Sequence, residues 1–396
     1  MSDHLPKRNS IVGLLPIMAV VAMAFLIIGF ILPVLPLHVH LGLGLSTFVV
    51  GVVTGSQFLA SLLSRVWAGQ FADRRGAKRS VILGLVAAVV SGALYLASLG
   101  FTGVPWVSVS ILLAGRALLG AAESFIITGA AIWGLAVAGP DNAGRVIAWV
   151  GMAMFAAMAV GAPLGMGLYA FAGFAAVAAA TALIPLLTLL LVVALPSVST
   201  PRGKPIGFLK VIGAVWMPGV GSALSSLGYG AMLAFSSLLA TERGWNPVWL
   251  TFTAFASALV AARLFFGHLP DRLGGAKVAL ACVIIEATGL VILWLSPGPA
   301  IATLGGALTG FGYSLVYPGL GAEAVRRAPP QSRGLAMGAY TVFLDVALGF
   351  GSPALGLIAG WAGLGAVFLL TALTVAAASV IAARLLASGA PPKEPS

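Results

Sequence analysis

Residues 65–79 read RVWAGQFADRRGAKR, and residues 263–277 read RLFFGHLPDRLGGAK. The second string is an imperfect copy of the first. Arg65 aligns with Arg263, Gly69 with Gly267, Asp73 with Asp271, Arg74 with Arg272 and Gly76 with Gly274, each pair 198 positions apart in a chain of 396 residues. Both strings lie between long apolar runs. The chain therefore reads as a duplication in which each half carries the same charged, glycine-bearing turn.

Composition fixes the solvent. Apolar residues make up 60% of the chain and charged residues 8%, whereas a soluble domain carries about 25% charged residues to coat its surface. Runs such as 11–35, 81–99 and 174–195 reach or approach the roughly 20 residues that a bilayer-spanning helix needs. A membrane barrel would instead alternate apolar and polar positions over strands of about 10 residues. Twelve helical spans are expected, at 11–37, 47–71, 80–99, 104–137, 145–171, 175–195, 209–239, 248–269, 278–295, 300–325, 334–361 and 363–386. They divide into an N-terminal bundle (1–195), a polar linker PSVSTPRGKPIGFLK (196–210) and a C-terminal bundle (211–396).

The net charge of +11 invites a nucleic-acid partner, and its distribution argues against one. With the N-terminus in the cytoplasm, all but two of the 21 Lys and Arg residues fall at cytoplasmic ends or loops, the exceptions being Arg116 and Arg243. That is the positive-inside bias of membrane proteins, and basic loops facing anionic headgroups account for the charge. Lys7 and Arg8 precede a first apolar run of 25 residues or so, longer than the 7–15 of a signal h-region, so it is kept as a span. A lone cysteine, Cys282, excludes an intrachain disulfide. No metal-ligand cluster is evident: His4 lies in the tail and His268 in the repeated turn, while His38 and His40 are expected as solvated residues of an outer loop.

The repeated turn carries a family resemblance. Gly69, Asp73, Arg74, Gly76, Lys78 and Arg79 match the G-x-x-x-D-R-x-G-x-K/R loop of the major facilitator superfamily, and the copy containing Gly267, Asp271 and Arg272 resembles that family's second-half version. GRALLGAAES (115–124) resembles the fourth-span R-x-x-x-G string of proton-coupled members. GAPLG (161–165), repeated as Gly351-Ser352-Pro353, resembles the glycine–proline string of the drug:proton antiporter branch, with Ala162 inserted into the usual order. RVIAWVG (145–151) and YTVFLDVALG (340–349) are similar to the bacterial YhhS-type branch. The resemblance implies an all-α membrane protein of two pseudo-symmetric six-helix bundles, a monomer in the bacterial inner membrane with both termini cytoplasmic. It also implies that the repeated loop latches the halves in one state. Physically, Gly76 suits a turn with φ > 0, Gly69 would admit a neighbouring helix, and Asp73 would cap or pair at a helix end.

Ionisable groups inside a bilayer cost roughly 2.5–3.5 kcal/mol each on insertion scales, which makes them functional candidates. Arg116 and Glu123 are two turns apart on one face of span 4, about 10 Å along the axis, too far for a direct ion pair. The resemblance places Arg116 at the family's proton-coupling arginine; the alternative is a structural tie to backbone carbonyls. Asp345, near the middle of span 11 among Val342, Phe343, Leu344 and Val346, is expected to exchange a proton or bind substrate. Glu286 in span 9 is expected to pair structurally, with Arg263 or a neighbouring helix. Gln57 could bind substrate or bond between helices, and Tyr313, Tyr317 and Tyr340 offer hydroxyls or ring faces.

The resulting expectation is a secondary transporter, not an enzyme: proton-coupled efflux of a small organic compound by alternating access, with uptake by symport as the alternative. Its partners are that compound, protons and the bilayer, with no cofactor and no metal. The carboxylates are scattered singly, and neither H-E-x-x-H nor G-x-S-x-G occurs, which speaks against a membrane hydrolase.

Overall fold

The computed structural model describes residues 10–139, 143–195, 209–328 and 333–388. The expected linker is therefore mostly outside the described residues. Helices Ser10–Leu37, Thr47–Arg75, Ala77–Ser98 and Pro105–Ala138 form spans 1 to 4. A 52-residue run, Ala143–Ala194, holds spans 5 and 6. It breaks at Ala172 (φ −140°, ψ 19°) and Gly173 (φ 70°, ψ −167°), where a residue without Cβ takes the left-handed turn. Spans 7 to 12 are Leu209–Glu242, Leu250–Phe266, Gly275–Leu295, Pro299–Arg327, Arg333–Ala362 and Leu364–Ala387.

Ten helices among the described residues are long and apolar enough to cross a membrane. One is the double run, and Leu250–Phe266 is a shorter apolar helix of 17 residues, so twelve spans result. Span 8 ends earlier than the sequence suggests. Gly267 closes it, and Pro270 sits near the start of a separate five-residue helix, Leu269–Leu273. Span 2 runs later, to Arg75, because its last turn carries charges suited to the headgroup zone.

The packing repeats with a shift of six spans. Span 1 packs on 5, 3 on 4 and 6, and 2 on 4; span 7 packs on 11, 9 on 10 and 12, and 8 on 10. Glycines set these distances: Gly29 on span 1 faces Gly161 on span 5, where an added Cβ would lie 2.7 Å from the Met158 carbonyl oxygen. The two turns match as well. Gly76 has φ 95° and Gly274 φ 91°, each donating its N–H to the preceding helix, at the Ala72 and Pro270 carbonyls. Gly69 corrects its expectation: a Cβ there would meet nothing within 4 Å, so no helix packs on it in this conformation.

Two symmetry-related seams join the halves, span 2 on span 11 and span 8 on span 5, together with span 1 on span 7. The span 2–11 seam is tight. Thr47 Oγ1 donates to the Gly356 carbonyl at 2.8 Å, a Cβ on Gly51 would strike the Ser352 carbonyl, and one on Gly55 would lie 2.5 Å from the Gly349 carbonyl oxygen. At the end away from the basic turns, residues 27–37 of span 1 and 228–240 of span 7 are all buried. Toward the basic turns, residues 151–156 of span 5 and 341–344 of span 11 are all partly exposed. Consecutive residues cover every side of a helix, so these segments face open space as well as protein. The halves thus meet at the far end and part toward the basic-turn end, leaving a crevice.

Candidate functional site: the crevice between the halves

Where the span 2–11 seam gives way to the crevice, Arg65 Nη2 reaches across to Asp345 Oδ2 at 2.6 Å. The Asp345 side chain is 4% exposed and that of Arg65 33%. The carboxylate is therefore enclosed while its cationic partner fronts the opening. Arg65 also lies within electrostatic reach of Glu123 and Tyr317, and Asp345 within reach of Glu123. Two carboxylates from opposite halves thus share the field of one arginine.

Glu123 is oriented by span 2. Gln57 Nε2 donates to its Oε2 at 2.7 Å, and Gln57 itself is 1% exposed. Gly120 lets span 4 press against the Gln57 backbone, and Ser124 Oγ donates to the Ser61 carbonyl at 2.7 Å. Gln57 thus forms the interhelical bond of the two readings the sequence allowed.

Arg116 stands apart. It is fully buried, and none of its three guanidinium nitrogens makes a hydrogen bond of good geometry among the described residues, the approach of the Tyr95 hydroxyl being a loose one. The nearby group is the Tyr95 hydroxyl on span 3, whose ring abuts Gly115. Arg116 feels Glu123 electrostatically, yet it is sealed from the crevice.

Arg263, the symmetry mate of Arg65, makes the matching reach across the other seam. Its guanidinium lies 5.0 Å from the centroid of the Phe155 ring on span 5, and its Nη2 donates to the Ser314 carbonyl at 3.0 Å. No carboxylate pairs with it among the described residues. The expected Glu286–Arg263 pairing is not formed; the alternative of a neighbouring helix is, since Ser225 Oγ on span 7 donates to Glu286 Oε2 at 2.6 Å.

Tyrosines fill the C-terminal side. Tyr340 is fully buried, its hydroxyl donating to the Tyr317 carbonyl at 2.8 Å, which ties spans 10 and 11 together. Tyr317 is partly exposed and its hydroxyl bonds Thr341 Oγ1 at 2.9 Å. Tyr229 and Tyr313 stack with centroids 4.8 Å apart. The sequence reading passed over Arg65 as a cavity residue, along with Phe155 and Tyr229. Phe155 was accessible by offset: 190 positions separate GAPLG from its copy, and the same shift takes Asp345 to Phe155.

At the basic turns, Lys78 donates to the Val193 carbonyl at 2.9 Å and to that of Leu195, a cation capping the end of span 6. Asp73, Arg74, Arg79, Asp271 and Arg272 are exposed, and Asp73 has no partner among the described residues. Glu323 takes the capping role in the C-terminal half. It accepts from the Ala276 N–H at 3.3 Å and pairs with Arg326. His38 and His40 depart from their expected solvation. His38 is buried and stacks on Phe174 at 3.8 Å, and His40 Nδ1 bonds the Leu45 carbonyl at 2.7 Å. The helix simply continues past Leu37 as a π-turn, His38–Gly42, drawing both rings into the packing. No group of three or more metal-ligating side chains occurs among the described residues.

The same architecture recurs in known proteins. The chain is 42% identical over 369 residues to the uncharacterized MFS-type transporter STM4428 of Salmonella typhimurium, spanning 93% of this chain and 95% of that one. It is 40% identical over 362 residues to the uncharacterized MFS-type transporter YhhS of Escherichia coli, spanning 91% and 89%. Among solved structures, the nucleoside transporter NupG superposes with a TM-score of 0.77 at 13% identity, over 94% of this chain and 99% of that one. The Major Facilitator Superfamily model matches residues 17–261 and 219–396. With a six-span repeat, two symmetry-related seams and relatives matched along nearly their whole length, the chain belongs to the Major Facilitator Superfamily and is a multi-pass secondary transporter.

Proposed function

We propose that the protein moves a small organic compound against its gradient by coupling to protons, with Asp345 as the carboxyl that takes up and releases the proton. The observation that carries this reading is the Arg65–Asp345 pair at the floor of the crevice, joining the two halves at 2.6 Å. An ionised Asp345 holds Arg65 and with it the inner end of the span 2–11 seam. Protonation removes the charge from that bond and leaves a weaker neutral contact, so the halves are freer to rock. The exposed, unpartnered Asp73 is consistent with a latch that closes in the opposite state.

Export is the favoured direction. The preference rests on the two glycine–proline strings that resemble the antiporter branch, which lie at close helix contacts, Gly161 against Gly29 of span 1 and Ser352 and Pro353 against Gly51 of span 2; release of the proton on the cytoplasmic side is common to export and uptake. One proton supplies about 2.3 kcal/mol per 100 mV of membrane potential and about 1.36 kcal/mol per pH unit, enough for a gradient of a few hundredfold. Glu123, bonded by Gln57, is a second proton or substrate site. One observation favours uptake instead. Arg263 faces the crevice without a carboxylate, which suits an anionic compound carried in together with the proton on Asp345.

The basic-turn end is assigned to the cytoplasm on the distribution of Lys and Arg, which places both termini and the 196–210 linker there, between bundles 1–195 and 211–396, in a monomer of the inner membrane. Cysteines introduced at Ser199 and Thr241 should react with an impermeant reagent only at Thr241 from outside; the reverse pattern rejects the orientation. Proteoliposomes carrying an internal pH dye, screened with amphiphilic, zwitterionic and anionic compounds, test the coupling. Proton flow opposite to the compound establishes export, parallel flow establishes uptake, and compound flow with no proton signal removes the coupling.

A further inference from the structure

Span 9 touches neither seam, yet it holds Glu286, which is 0% exposed. Its Oε2 accepts the Ser225 hydroxyl at 2.6 Å, and its Oε1 has no hydrogen-bond partner among the described residues. The helices around it bring no cation among the described residues. Gly228 on span 7 and Gly312 on span 10 press so close that added Cβ atoms would lie 2.9 Å from Oε1 and 2.8 Å from the Glu286 Cβ, with Val375 of span 12 at the edge. Tyr313 on span 10 and Cys282 on span 9 are the titratable groups within its electrostatic reach. A carboxylate enclosed without a cation is far costlier than the neutral acid.

A plain interhelical hydrogen bond could be made by Ser, Thr or Gln, and a chain of hydroxyls gives the acid a further use. Ser226, next to Ser225, lies 3.3 Å from the Tyr313 hydroxyl. The Tyr313 ring stacks on Tyr229 at 4.8 Å and 9°, and Tyr229 lies within electrostatic reach of Glu123 in the other half. One turn along span 10, Tyr317 is in reach of Arg65, Asp345 and Arg263. Hydroxyls thus lie between the sealed carboxyl and the crevice, hydrogen-bonded at Glu286–Ser225 and Ser226–Tyr313; among the described residues no hydrogen bond joins Ser225 to Ser226, Tyr313 to Tyr229 or Tyr229 to Glu123, so the chain is interrupted in this conformation.

We propose that Glu286 is a further proton-binding site, which exchanges its proton with the crevice at Glu123 through the hydroxyls of Ser225, Ser226, Tyr313 and Tyr229 once a rearrangement of the halves closes the gaps between them. In each passage the carboxyl O–H bond breaks and its proton bonds to a hydroxyl oxygen. Every hydroxyl passes on the proton it held and is regenerated, and one proton arrives on Glu123. Glu286 is left as carboxylate, so the site keeps its proton in the present conformation and yields it when the crevice rearranges. The proposal rests on the proton-coupled reading for its purpose, but proton occupancy at Glu286 is measured without any substrate.

Infrared difference spectroscopy of the protein in lipid bilayers, titrated from acid to alkaline pH, reads the carboxylic C=O stretch directly. A band is expected in the wild type that disappears in Glu286→Gln, shifts in Glu286→Asp and persists in Asp345→Asn. Its loss on a jump to high pH should slow on the order of tenfold or more in Tyr313→Phe. A wild type with no Glu286-dependent band, or with one that never responds to pH while the protein stays folded, overturns the proposal. An unslowed band in Tyr313→Phe overturns the path. Either result leaves Asp345 to be judged by its own variant, and Glu286→Asp keeps the test open should Glu286→Gln fail to fold.

Discussion

The two seams are related by the internal duplication and differ in what their arginines meet. On one, Arg65 of span 2 meets Asp345 of span 11 as an ion pair. On the other, Arg263 of span 8 meets Phe155 of span 5 through the face of its ring. The placement corresponds: an arginine on the span ending in the basic turn, facing a residue upstream of a glycine–proline string. The acceptor differs. A cation–π contact is worth about 0.5–2 kcal/mol and does not titrate, whereas a carboxylate loses its charge when protonated. Duplication thus supplies two corresponding contacts between the halves, and one of them contains a carboxylate.

The largest effect should follow removal of that response. Asp345→Asn keeps a hydrogen-bonding group opposite Arg65 but cannot ionise. Transport driven by a pH gradient should fall to background in proteoliposomes, while exchange of labelled for unlabelled substrate continues. Uphill transport at the normal rate would show that the two seams do not differ in function.

Next comes the packing of the charged seam. Gly51→Ala forces a Cβ against the Ser352 carbonyl, and overpacking of this kind costs about 1–3 kcal/mol. Spans 2 and 11 should separate at the far end, seen as increased labelling of a cysteine placed at Thr47. Unchanged labelling would mean that the close approach is not needed for closure. On the uncharged seam, Phe155→Leu should shift the balance of conformations by about 1 kcal/mol, roughly fivefold, with the pH response intact. A lost pH response would move the proton switch to the wrong seam. Smallest of all, Gly69→Ala meets nothing within 4 Å and should change stability by less than about 1 kcal/mol. A drop of several kcal/mol would indicate that Gly69 is packed in the dominant state.

Much of this frame is legible in the sequence, because run length and charge patterning are imposed by the bilayer itself. The twelve spans, the left-handed Gly76 and Gly274, and the isolation of Asp345 all follow from local chemistry. The partner of Asp345 does not. Arg65 reads as part of a basic turn, and nothing local says that its side chain reaches across to a residue 280 positions away. The span-8 boundary was misplaced for a similar reason: apolar Phe266 and Leu269 flank the break at Gly267, and hydropathy does not register a backbone break. His38 was misread because its burial depends on Phe174, on another span. Gly69 was misread because nothing local says whether another helix lies beside a glycine.

The most direct test of the central claim, that protonation at Asp345 governs the seam between the halves, is a distance measurement across the basic-turn end. Spin labels at Arg75→Cys and Lys277→Cys, both exposed, in a Cys282→Ser background, would report the separation of the halves in lipid by pulsed electron resonance. Lowering the pH should move the distance distribution toward shorter values in otherwise wild-type protein, and should leave it fixed in Asp345→Asn. An equal pH-dependent shift in the Asp345→Asn protein would contradict the claim.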